Sequence, residues 1–261
     1  MIKLLRSNLK RILSSKTFWI CSATYILYGL ILSIWLCQID KIDIRSADYP
    51  ISNYGLSGSP FTGIIIMLIL CIIMNADFSN NAIRNKIIIG YSKEQIYASN
   101  LLAYFICVIA LQFVYLCVTL PFFFGWTFNS SLWNLFGDYI GQMLLWIALY
   151  NILTVAAYVS LYTAIIMNMK NALVSTVTGV VLNLVAMFVT WYVMAGSNYA
   201  YETLNLLNFY PTGIDTLIAF GSTILYSMMT TTYVVYIVIP IIWILLTAII
   251  GLTVFKKSAI K

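Results

Sequence analysis

The chain has 261 residues, 62% of them hydrophobic and only 8% charged, with 14 basic side chains, eight acidic ones and no histidine. A soluble domain devotes about a quarter of its residues to Asp, Glu, Lys and Arg, so most of this surface must meet lipid rather than water. That balance excludes a soluble enzyme, a disordered chain and a disulfide scaffold, and the missing imidazole excludes histidine chemistry. The five cysteines (Cys21, Cys37, Cys71, Cys107 and Cys117) lie in or at the end of apolar runs with no CxxC pair. They read as small buried hydrophobes, and no metal site is expected.

Residues 1–16 place Ile2, Leu5, Leu9, Ile12 and Leu13 on one helical face and Lys3, Arg6 and Lys10 on another. This is the pattern of a helix lying in the membrane interface, held by apolar burial and anionic headgroups. A cleaved signal is not expected. The apolar run after Lys16 is long and lacks a small-residue cleavage site, and Ile20 before Cys21 is not small.

A bilayer core needs ~20 apolar residues per helix, and six segments are expected to cross it. They are residues 18–37, 63–74 (with 59–62 needed for length), 99–124, 139–167, 173–194 and 233–255. The apolar stretch 217–232 is interrupted by Gly221, Ser222 and a Thr-rich end and is not counted. Six crossings put both termini on one side. That side collects twelve of the 14 basic residues against the acids Asp77 and Glu94; the other has Lys41 and Arg45 against six acids. By the positive-inside rule both termini are expected to be cytoplasmic. The net charge of +6 is therefore an asymmetry across a membrane and not a nucleic-acid patch.

No charged residue lies near the middle of any expected span, which argues against ion-coupled carriers and proton relays. Nor is there a catalytic constellation or a GxxxxGK[ST] phosphate loop, so energy for uphill transport must come from a partner. The uncharged Gln112, Asn151, Asn183 and Thr154 have two readings: lining a substrate path, or hydrogen-bonding a neighbouring helix. Pro121 and Pro240 mark kinks or ends. Gly137 and Gly141 make one GxxxG pair at the mouth of the fourth span.

The loop 75–100 reads NADFSNNAIRNKIIIGYSKEQIYASN. Ser79, Asn80 or Asn81 is expected to cap a short helix. Ile83, Ile87 and Tyr91 recur at i, i+4 and i+8 as an apolar stripe, with Arg84 and Lys86 projecting elsewhere. Gly90 is placed to end that helix in the left-handed conformation, and Ser92 with Gln95 forms a capping box that opens the next helix. The stripe fits insertion into a groove of a cytoplasmic partner or rest on the lipid headgroups.

The order Phe78, Asn81, Ile83-Arg84-Asn85-Lys86, Gly90, Ser92, Lys93 and Tyr97 resembles the loop between the second and third spans in permease subunits of the type-2 membrane family of ATP-binding-cassette transporters. The layout is similar too: an amphipathic first helix, six spans and a long outer segment before the last. Ala82 stands where the family often has Gly, and Lys93 where it often has Arg; Lys93 gives up bidentate pairing with a carboxylate. The resemblance implies an all-α polytopic permease, one transmembrane domain over 1–261, whose loop 75–95 supplies a coupling helix docked in a cleft of an ATPase subunit. The docking residues it implies are Phe78, Ile83, Arg84, Lys86, Ile87, Gly90, Tyr91, Lys93 and Glu94. It also implies that segment 195–232 dips back into the outer leaflet to close the exit; the aromatics there, with Leu207, Phe209 and Tyr210, read either as a gate for cargo release or as an interfacial aromatic belt alone.

The expected function is the membrane subunit of an ATP-driven exporter in a bacterial plasma membrane, without catalytic residues. ATP and Mg would be bound by a separate ATPase. Its partners would be that ATPase, a second permease copy or paralogue, and membrane lipids, with no nucleic acid. Permeases with this loop resemble those exporting small antimicrobial, toxin or immunity-related peptides in Gram-positive bacteria, and a path without fixed charge suits hydrophobic or amphipathic cargo. The alternatives are a non-transporting sensor or immunity protein that binds a peptide at the outer face, and an ion-coupled carrier.

Overall fold

The computed structural model describes residues 1–42, 62–79, 81–128, 140–169, 171–196 and 233–258, which form eight α-helices and no strand. In chain order these are α1 (Ile2–Ser14), α2 (Lys16–Ile42), α3 (Thr62–Ser79), α4 (Ala82–Ile88), α5 (Lys93–Phe128), α6 (Ile140–Met169), α7 (Ala172–Gly196) and α8 (Tyr233–Lys257). The six long helices lie over the six apolar segments. Segment 217–232, Gly137 and the gate residues Leu207, Phe209 and Tyr210 lie outside the described residues.

Among the described residues, Lys93–Thr119 of α5, Ile152–Met169 of α6 and Ile237–Lys257 of α8 are long and apolar enough to cross a membrane. Gly63–Met74 of α3 and Leu173–Ala186 of α7 are shorter apolar stretches. These helices give the chain the composition of a membrane protein. Their outward faces confirm the solvent they need. Ile241, Ile242, Leu245, Leu246, Ile249 and Ile250 are all exposed on α8, a row too continuous to face water.

The core is organised around α6, which packs against α3, α5, α7 and α8. Its span is 61% buried, against 22% for that of α8, so α6 is the hub and α8 the periphery. Small residues let the neighbours come close. At Gly251 of α8, an added Cβ would collide with the Tyr97 hydroxyl and lie 2.7 Å from Ala164 Cβ of α6. Polar bonds pin the same seam: Ser160 and Thr247 hydroxyls meet at 2.6 Å, and Asn168 Nδ2 donates to Gly251 O at 3.2 Å. In a medium without water such groups need partners within the protein.

Of the two readings of Pro121 and Pro240, an end is excluded, because their helices continue through them; a missing amide is tolerated where neighbouring groups re-satisfy the backbone. The first helix is not simply laid on lipid. Leu4, Asn8 and Ile12 form its buried stripe, with Leu5 and Leu9 also packed on the core, chiefly against α5. Only Ile2 and Leu13 of the expected apolar face remain exposed. Asn8 hid this stripe from a reading by hydrophobic period alone.

Candidate functional site

The loop between α3 and α5 is built by local signals. Asn81 takes φ 53°, the left-handed region in which Asn is favoured among non-glycine residues, and makes no side-chain cap. It acts instead through its carbonyl, which accepts from Asn85 N at 2.9 Å. At the other end Gly90 has φ +103°. Gly90 N donates to Ile87 O at 2.9 Å and Tyr91 N to Lys86 O at 3.1 Å, the paired bonds of a Schellman stop. Nothing lies within 4 Å of where a Gly90 Cβ would stand, so the backbone angle alone demands glycine. The capping box forms as expected: Ser92 N donates to Gln95 Oε1 and Gln95 N to Ser92 Oγ, both at 3.2 Å.

The helix so framed is oriented by burial. Ile83 is buried, Ile87 and Tyr91 are half-buried against the core, and Phe78 packs there too. The apolar stripe therefore packs on the protein's own body. A seven-residue helix is too short to hold itself, so its apolar side goes to tertiary packing. What projects outward is Arg84, Asn85, Ile88 and Ile89, the two isoleucines 72% and 74% exposed.

Lys86 also departs from expectation. It turns inward, and its Nζ donates to Asn8 Oδ1 of α1 at 2.8 Å and to Asn100 Oδ1 of α5 at 3.3 Å. Asn8 Nδ2 donates in turn to Asn100 Oδ1 at 2.8 Å and Ser99 Oγ at 3.2 Å. Beside them Arg11 of α1 forks onto Asp77 of α3, with Nη2 to Oδ2 at 2.6 Å and Nη1 to Oδ1, while Tyr104 donates to Asp77 Oδ2 at 3.4 Å. Four helices and the loop helix thus share one polar node: α1, α3, α4 and α5 through these bonds, and α6 through Met167 Sδ, which accepts from Asn100 Nδ2.

Burial governs the node's electrostatics. It lowers the Lys86 ammonium from 10.5 to about 8; the Asp77 charge pulls it back up and the Arg11 charge pushes it further down. Burial raises the Asp77 carboxyl, opposed by the charges of Arg11 and Lys86 and by hydrogen bonds from Arg11 and Tyr104. A carboxylate whose side chain is 2% exposed is sustained only by such pairing.

Lys93 and Glu94 have partners within the chain. Lys93 Nζ donates to Lys256 O at 3.0 Å and Ser258 O at 2.6 Å, neutralising the C-terminal end of α8. Glu94 accepts from Lys256 Nζ at 2.6 Å across an exposed pair of little energetic weight. Three of the path candidates have described side chains: Thr154 Oγ1 is buried with no hydrogen-bond partner among the described residues, whereas Gln112 Oε1 accepts from Tyr25 OH at 2.5 Å, and Asn183 Nδ2 donates to Gly179 O at 2.9 Å and to Tyr162 OH. Gln112 and Asn183 are buried and join helices. Asn151 lies in α6, with its side chain outside the description. Among the described residues no group of three acidic or cysteine side chains is placed to hold a metal.

Asn8, Arg11, Ser99, Asn100 and Tyr104 were not candidates on sequence. The available signal was Asn8 itself, a polar residue in register with Leu4 and Ile12. No protein-family model matches the chain, and no curated protein matches it.

Proposed function

We propose that the chain is the membrane subunit of an ATP-driven exporter, with six crossings, cytoplasmic termini and a loop helix that docks a separate ATPase. The observation that carries this reading is the form of α4. It is stopped by Gly90, restarted by Ser92, packed through Ile83 and tied through Lys86, yet it presents Ile88, Ile89 and Arg84 outward. Two neighbouring isoleucines, 72% and 74% exposed beside the outward Arg84, fit an apolar pocket with an acidic rim.

In this reading Arg84, Ile88 and Ile89 contact the ATPase. Phe78, Ile83, Lys86, Ile87, Gly90, Tyr91, Lys93 and Glu94 hold the helix to the body, so that force applied outside reaches α1, α3 and α5. ATP and Mg belong to the partner, and a second permease copy completes the pathway. The cargo is hydrophobic or amphipathic, with small peptides the class the loop's resemblance favours. Co-expression with any ATP-binding-cassette ATPase encoded beside it, followed by purification through this chain, tests the proposal. A stoichiometric ATPase that is retained by the native chain and lost from Ile88→Asp supports it. Failure of the native chain to retain any ATPase contradicts it.

A further inference from the structure

Helix α1 carries two faces with different work. The buried face holds Asn8 and Arg11, through which the helix grips Lys86 of the loop and Asp77 of α3. At 3.6 residues per turn, Lys3, Arg6 and Lys10 fall together on the far side, and all three are exposed. Among the described residues the only ion pairs are Arg11–Asp77 and Lys256–Glu94, so the three cations have no acidic partner there.

Position tells what covers them. Between the buried stripe and the cations lies an apolar edge, Ile2 and Leu13, 83% and 48% exposed. At Ser15 the chain turns into α2, where the Trp19 indole donates to Leu13 O at 2.8 Å and fixes the corner. From Trp19 and Ile20 onward α2 shows an exposed apolar row through Leu27, Ile31 and Ile34. A lipid-facing surface therefore begins at this corner, with an exposed Trp at its rim, and puts the neighbouring cations at headgroup depth.

We propose that Lys3, Arg6 and Lys10 form a site for anionic phospholipid headgroups, and that α1 relays their occupancy to the loop helix through Asn8 and Arg11. A single stiff helix that binds lipid on one side and the loop on the other makes loop order depend on membrane charge. This requires only that the chain sits in a membrane, and holds whether or not it exports anything.

The test is hydrogen–deuterium exchange on the full chain in nanodiscs of phosphatidylcholine alone, or with about one-third phosphatidylglycerol; each cation near an anionic surface contributes roughly a fivefold preference. Peptides covering 81–92 are followed, with 155–167 of α6 as the reference for an intact fold. Exchange in 81–92 is expected to slow by roughly threefold or more on adding the anionic lipid. Lys3→Gln/Arg6→Gln/Lys10→Gln should abolish the difference while α6 protection is unchanged. Lys86→Met should also abolish it, with the cations still present. Equal exchange in the two membranes overturns the proposal and leaves the face to an acidic protein surface. A lipid effect that survives either variant overturns the relay, and slowing by inorganic phosphate in phosphatidylcholine overturns the lipid source.

Discussion

Asp77→Asn is the sharpest perturbation of the polar node. The carboxylate is 2% exposed and takes both Arg11 nitrogens, a hydrogen bond from Tyr104 and the field of Lys86. Neutralising it leaves two cations facing each other across a buried site. Removing one member of a buried pair costs about 3–5 kcal/mol, and Arg11, a third exposed, recovers some hydration, so about 2–3 kcal/mol is expected here. Arg11→Met keeps much of the aliphatic packing and removes the other charge. The double variant should then be less destabilised than the sum of the singles by about 2 kcal/mol. Denaturant midpoints in micelles, read for all four proteins, give that coupling energy. Additive effects, or an Asp77→Asn loss under about 0.5 kcal/mol, would refute the view that this pair ties α1 to α3.

Lys86 has its pKa lowered to about 8 when the loop is docked, against 10.5 when free. The released form therefore binds more protons between those values, and docking strengthens as pH rises through that window, with no dependence below it. Protection of residues 83–91, corrected for intrinsic exchange, should rise up to roughly tenfold from about pH 7 to pH 9, less where solvent screens the ammonium. In Lys86→Met the pH dependence should vanish. Gly90→Ala forces a φ of +103° on a side-chain-bearing residue and should cost about 1 kcal/mol of loop stability, seen as faster proteolysis at the loop with the bundle intact. Gly251→Val should push α8 off Tyr97 and Ala164 and lower the unfolding free energy by about 1–3 kcal/mol, measured by the same denaturant series.

Local features were legible in the amino-acid order because their causes are local. The long helices follow from unbroken apolar runs, the loop's stop from Gly90, and its restart from Ser92 and Gln95 three positions apart. The inward turn of Lys86 was not legible, because its partner Asn8 lies 78 positions away. Asp77 read as one more charge at a membrane face because Arg11 is 66 positions off. For the same reason the amino-acid order leaves the stripe Ile83, Ile87 and Tyr91 open to a partner's groove or to lipid headgroups. A stripe on a seven-residue helix says that something covers it, and only the packing shows that the cover is the chain itself. Ile88 and Ile89, outside the stripe's period, emerged as the free surface.

We propose that the outward edge of α4, and not its inward stripe, meets a soluble ATPase. A photo-activated crosslinker placed singly at Ile88, Ile89, Ile83 and Ile87 in cells expressing both proteins tests it most directly. An ATPase adduct is expected from positions 88 and 89, and none from 83 and 87, which pack on the chain's own core. Adducts from all four positions alike, or from none while the chain is intact in the membrane, would contradict it.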